Sequence, residues 1–156
     1  MTRKIRSDQE KKLARRNVKY ELNILNTIVE AKLKHLCLPK EERDASIGSA
    51  FMDSILLHVR NLFDFLEHPP ASDYVRAKDI LQDKWKPPKF KIINNNLMKE
   101  INNYRMHITY SRKMGEEKPD WDIKKMRDEI NAAYQEFRKE LPDPDRPLWK
   151  IQSKKS

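Results

Sequence analysis

A chain of 156 residues with a formal net charge of +9 is one domain's length, enough to bury a single core without disulfides or metals. Two glycines, Gly48 and Gly115, against 37% charged residues is the composition of long solvated helices; it excludes a sheet protein built on tight turns and a glycine-rich phosphate loop. A single cysteine, Cys37, excludes an internal disulfide, and no apolar run reaches the length of a membrane span, so the chain reads as a cytoplasmic, soluble protein.

Helices stop near prolines, and the nine prolines outline about five helices in one domain over residues 1–141. The first is expected from Ser7 to Leu36. Ala14, Val18, Leu22, Leu25, Val29, Leu33 and Leu36 recur there at spacings of three and four and make one apolar stripe. Its opening turns are basic, which opposes the helix dipole, so residues 1–12 read as an arm that is frayed or held by an anion. Pro39 or Asp44 opens the second helix, whose stripe is Phe51, Ile55, Val59, Leu62, Phe63 and Leu66, and Glu67-His68-Pro69-Pro70 ends it. Ser72 is suited to cap a third helix through Trp85, with Ile80, Leu81 and Trp85 facing inward.

Pro87-Pro88 breaks that helix, and a fourth is expected from Lys89 to Met114 on the stripe Ile93, Leu97, Ile101, Tyr104 and Ile108. Asp120 is the expected cap of a fifth helix through Leu141, burying Ile123, Met126, Ile130, Ala133 and Phe137. Residues 142–156 form a proline-rich, basic tail that Leu148 and Trp149 would pin to the body. Short connections between such helices predict an all-α, up-and-down bundle.

Charge is unevenly spread. Residues 1–20 hold eight Lys or Arg against two acids, and residues 76–113 hold ten against three, whereas 21–75 and 114–145 are each net acidic. Two basic stretches favour a polyanionic partner, against the plainer reading that charged faces only keep helices soluble.

The densest chemistry lies in Asn102-Asn103-Tyr104-Arg105-Met106-His107-Ile108-Thr109-Tyr110-Ser111-Arg112. His107 shares a helix face with Asn103, and Arg112 follows just over a turn later. A histidine near neutrality moves protons, and an arginine beside it stabilises charge developing on a phosphate. Those two tools suffice for metal-independent RNA cleavage, in which the 2′-hydroxyl is the nucleophile. The companion segment is Leu57-His58-Val59-Arg60-Asn61-Leu62-Phe63-Asp64-Phe65-Leu66, where Arg60 and Asp64 fall about 40° apart on the flank of the buried stripe. They are expected to lie beside His107 on the adjacent fourth helix. The plainer readings are a structural histidine and an intrahelical ion pair. The four histidines show no metal-ligand spacing, and no cofactor motif occurs, so neither metal nor cofactor is expected.

The segments LHVRNLFDFL and NNYRMHITYSR resemble small bacterial proteins of the HEPN superfamily (higher eukaryotes and prokaryotes nucleotide-binding) over roughly residues 45–115. The resemblance implies a compact helical bundle, homodimerisation and, as in many members, metal-independent ribonuclease activity of a defence or toxin–antitoxin kind. It carries over Arg60, Asn61, Asp64, Asn102, His107, Thr109 and Arg112. Active members separate an arginine from the following histidine by four to six intervening residues; here Glu100, Ile101 and Asn102 stand in those places, so Arg60 or Arg112 would have to serve. The expected site is His107 for proton transfer, Arg60 or Arg112 on the phosphate, and Asp64 orienting an arginine. Asn61, Asn102, Asn103 and Thr109 would contact RNA or a nucleotide. The alternative is a non-catalytic module that engages a cognate protein partner, with the Arg/Asp/His cluster structural.

Overall fold

The computed structural model describes residues 7–67, 75–81, 84–103 and 120–151. It is all-α, with α1 Asp8–Leu36, α2 Ala45–Glu67, α3 Ala77–Leu81, α4 Asn95–Ile101 and α5 Ile123–Lys139. Short 3-10 turns occur at Lys40–Glu42 and Arg146–Trp149.

The basic start of α1 is not frayed from Ser7 onward. The Ser7 hydroxyl accepts from the Glu10 N–H at 3.2 Å, and the Glu10 carboxylate accepts the Ser7 N–H at 2.7 Å. This reciprocal box satisfies two helix-end donors, and Asp8 and Glu10 offset the dipole that Lys11 and Lys12 oppose. Ala14, Val18, Leu22, Leu25 and Val29 are buried, while Leu33 is partly so and Leu36 is exposed at the helix end. Asp44, not Pro39, caps α2: its carboxylate accepts the Ser46 and Ile47 N–H groups at 2.7 and 3.1 Å. Those two bonds hold the Asp44 carboxyl below its ordinary value.

α2 and α5 both run antiparallel to α1. Glu21 meets His58 and Lys32 meets Gly48 across one interface; Asn26 meets Asn131 and Glu30 meets Arg127 across the other. Gly48 permits close approach: Lys32 Nζ donates to its carbonyl at 3.0 Å, and a Cβ there would lie 3.2 Å from the same nitrogen. α2 is buried over more than one stripe because it packs on both α1 and α5. Ile55, Leu56, Val59, Leu62 and Leu66 are essentially inaccessible, and each contributes roughly 1.5–3 kcal/mol by leaving water.

The far side of α2 carries an aromatic cluster. Phe137 of α5 meets Phe65, Trp85 and Trp149 edge to face, with centroids 5.0–5.7 Å apart. The Tyr134 hydroxyl donates to the Trp149 carbonyl at 2.5 Å. Trp149 thus pins the segment after α5, as expected, whereas Leu148 is exposed.

Two expected helices are shorter than their sequence patterns. α3 spans only Ala77–Leu81, and Trp85 reaches the core from outside it; its indole N–H donates to the Leu66 carbonyl at 2.8 Å, near the end of α2. α4 begins at Asn95 behind an Asn94 cap rather than at Lys89. The segment Trp85–Ile93 is a non-helical strap laid against α5. The cause is Glu129, whose carboxylate accepts the backbone N–H groups of Lys91 at 2.7 Å and of Ile92 and Ile93 at 3.1 Å. A side chain of another helix thus satisfies the donors that a helical turn would otherwise have to satisfy. Likewise Asp122, not Asp120, caps α5 by accepting the Lys125 N–H at 3.0 Å.

Candidate nucleic-acid interface

The structure brings together only part of the expected site. Arg60 Nε lies 4.0 Å from Asp64 Oδ2 on the half-buried flank of α2. Burial pushes the Asp64 carboxyl above its ordinary value, and the Arg60 charge counters this in part. Asn61 does not join them. Positions 58 and 61 face α1, on the flank of α2 opposite 60 and 64, and Asn61 Nδ2 donates to Glu21 at 3.1 Å. Asn61 is thus exposed and bonded to Glu21, apart from the Arg60–Asp64 pair. Asn102 is partly buried just beyond α4, with its Oδ1 lacking a hydrogen-bond partner, and Asn103 is exposed. His107, Thr109 and Arg112 lie outside the described residues.

A polar cluster that the motifs did not single out sits between α1 and α2. His58, the one buried polar side chain of the described core, places Nδ1 2.6 Å from Glu21 Oε2. Asn61 reaches the same oxygen, so one carboxylate ties two side chains of α2 to α1. The Tyr20 ring stands edge to face with the His58 ring, at 6.4 Å and 72°. The available signal was local. His58 lies on the edge of the α2 stripe next to the core, where a histidine needs a partner from the neighbouring helix.

The outer face of the first turns of α1 is strongly basic. Lys12, Arg15, Arg16 and Lys19 line an open concavity of about 690 Å³ together with Leu13 and Tyr20. At 100° per residue Lys12 and Arg16 point away from the buried stripe of Ala14, Val18 and Leu22, while Arg15 and Lys19 lie along its flank and are partly buried. None of the four cations pairs with a described acid. The acids nearest in sequence are engaged elsewhere: Glu10 on Ser7, Asp8 toward Lys11 at 3.9 Å, and Glu21 on His58 and Asn61. Tyr20 is 59% exposed and Leu13 49%. In the second basic stretch Arg76 is held by Asp79 at 2.9 Å.

Another hollow, about 470 Å³ between the strap at Phe90 and Ile92 and the Ala132–Ala133 face of α5, is mainly apolar. Of its charged groups, Glu129 is bound to the strap backbone, Lys125 to Asp122, Asp128 to Arg127 and Glu136 to Lys139; Lys89 and Lys91 also line it. No helix among the described residues is long and apolar enough to cross a membrane. No protein-family model, curated protein or solved structure matches the chain.

Proposed function

We propose that the protein is an RNA-contacting helical module that holds the phosphate backbone on the outer face of α1. The observation that carries this reading is four cations, Lys12, Arg15, Arg16 and Lys19, clustered on one helix face without acidic partners among the described residues. Unpaired cations at such spacing keep their charge available, and a polyanion binds by releasing its counterions to them. The sequence adds Arg3, Lys4 and Arg6 just ahead of α1. Arg60 and Asp64 act in this reading as a mutual pair that neutralises the flank of α2, and binding needs no reaction at that place.

The test is binding of a short labelled RNA by the full chain across a salt series. For single strands the slope of log affinity against log salt is about −0.7 per neutralised phosphate. Four contacts therefore contribute a slope of about −2.8, or roughly a 50-fold loss of affinity for a fourfold rise in salt. Replacing Lys12, Arg15, Arg16 and Lys19 together by Gln should reduce the magnitude of the slope by about 2.8. Wild-type affinity that is indifferent to salt, or a slope unchanged by the fourfold replacement, defeats the reading.

A further inference from the structure

Resting on the RNA-binding reading of α1, we infer that the strand it takes is unpaired, with Tyr20 the side chain that stacks on a base and the Glu21–His58 pair the support that holds its ring in place. Tyr20 stands among Lys12, Arg16 and Lys19 and is 59% exposed. An aromatic ring of that size usually hides much of its surface. Cations alone suffice for a duplex, whose phosphates form a regular array and whose base faces are already stacked. An exposed ring between cations gains contact only where a base face is free, as in an unpaired strand.

The ring is also braced. His58 is 8% exposed, and its Nδ1 sits 2.6 Å from Glu21, which Asn61 also holds. That fixed imidazole stands edge to face with Tyr20 and restricts the directions the phenol ring can take. A ring ordered before binding loses less rotamer freedom on stacking. Tyr20 is the binding residue, and His58 and Glu21 are positioning residues that act through it.

An anionic lipid surface also attracts basic helices, but a helix lying in a membrane interface buries a broad apolar face. The apolar face of α1 is already in the core, as Ala14, Val18, Leu22 and Leu25, and its outer face offers only Leu13 and Tyr20 among the cations.

The experiment measures anisotropy of a short unstructured RNA, and of the same RNA annealed to its complement, with the full chain at fixed salt. The variants are Tyr20→Ala, Tyr20→Phe, His58→Gln and the Tyr20→Ala/His58→Gln double, each checked by thermal melt. Tyr20→Ala should weaken single-strand binding roughly 5- to 100-fold, leave duplex binding within about twofold, and leave the salt slope unchanged. Tyr20→Phe, which keeps the π-face, should bind like wild type. His58→Gln should weaken single-strand binding in the wild-type background and have no further effect when Tyr20 is Ala. A purely structural histidine would weaken both backgrounds alike, and that result removes its positioning role.

Equal loss on both RNAs, no loss from Tyr20→Ala, or tighter binding to the duplex overturns the inference. So does stronger binding to phosphatidylserine vesicles that Tyr20→Ala also weakens. Salt-dependent RNA binding that Tyr20→Ala leaves intact ends this inference alone. Absence of RNA binding by wild type ends it and the reading of α1 together.

Discussion

Glu129→Ala is the sharpest test of how the fold is held. The carboxylate makes four contacts of 2.7–3.1 Å with the backbone N–H groups of Lys91, Ile92 and Ile93. Hydrogen bonds to a charged group are worth about 1.5–3 kcal/mol each, but one carboxylate shared among three donors does not contribute three independent terms. Two full contributions at the low end give about 3 kcal/mol. For a chain of this size that is a fall in melting temperature of roughly 6–12 °C. The strap would loosen first, because it seats Phe90 on Phe63 at 5.2 Å and delivers the fully buried Ile93.

Glu129→Gln separates charge and acceptor count from shape. One carboxylate oxygen takes Lys91 and Ile92 and the other takes Ile92 and Ile93, so an amide would retain one set and turn N–H groups against the other. It should recover less than half of the loss. The assay is urea unfolding of the three proteins, with amide exchange at Lys91–Ile93 read alongside; those amides should exchange faster in both variants. A Glu129→Ala protein within about 0.5 kcal/mol of wild type would refute the account of the strap.

Trp149→Ala should cost about 3–5 kcal/mol in urea unfolding, since the ring is 3% exposed against Phe65 and Phe137, whereas exposed Leu148→Ala should stay within about 0.5 kcal/mol. Asp64→Asn should be no less stable than wild type at pH 7. The folded Asp64 carboxyl titrates above its unfolded value, so its contribution is fully present below the unfolded pKa and lost as pH rises through the folded one. Urea midpoints from acid to neutral pH should therefore move against wild type relative to the variant; the opposite trend removes burial as the dominant influence on Asp64. His107→Ala addresses cleavage: if the histidine transfers protons, an RNA time course with chelator present shows cleavage by wild type and none by a variant that melts normally. No cleavage by either protein, with a lowered melting point for the variant, assigns the residue a structural role.

What the sequence made legible follows the range of the forces involved. α1, α2 and α5 are readable because each carries a long apolar stripe, and most stripe residues are buried; in α2, which packs on two helices, Leu56 and Phe65 are buried outside the stripe and Phe51 is only partly covered. The Arg60–Asp64 pair was readable because it is local, one turn of a single helix. The α4 start was not: Ile93, Leu97 and Ile101 keep helical spacing, and only Glu129, 36 positions beyond Ile93, withdraws the amides ahead of Asn94 from a helix. Asn61 comes with Arg60 in the motif of the resemblance; its place about 100° round the helix from Arg60 is local geometry, and only its bond to Glu21, 40 positions away, is tertiary.

The same distinction governs the basic face. That residues 1–20 are cationic is composition; that Lys12, Arg15, Arg16 and Lys19 are unpaired is tertiary. Glu21, two positions from Lys19, lies about 160° round the helix from it, on the flank toward α2 rather than on the basic face. There α2 presents a histidine and an asparagine that hold it. The contact that holds Glu21 also sets the Tyr20 ring beside His58. One interhelical carboxylate thus fixes the imidazole against which the ring beside the cations stands, which links the stability of the α1–α2 interface to what α1 offers a ligand.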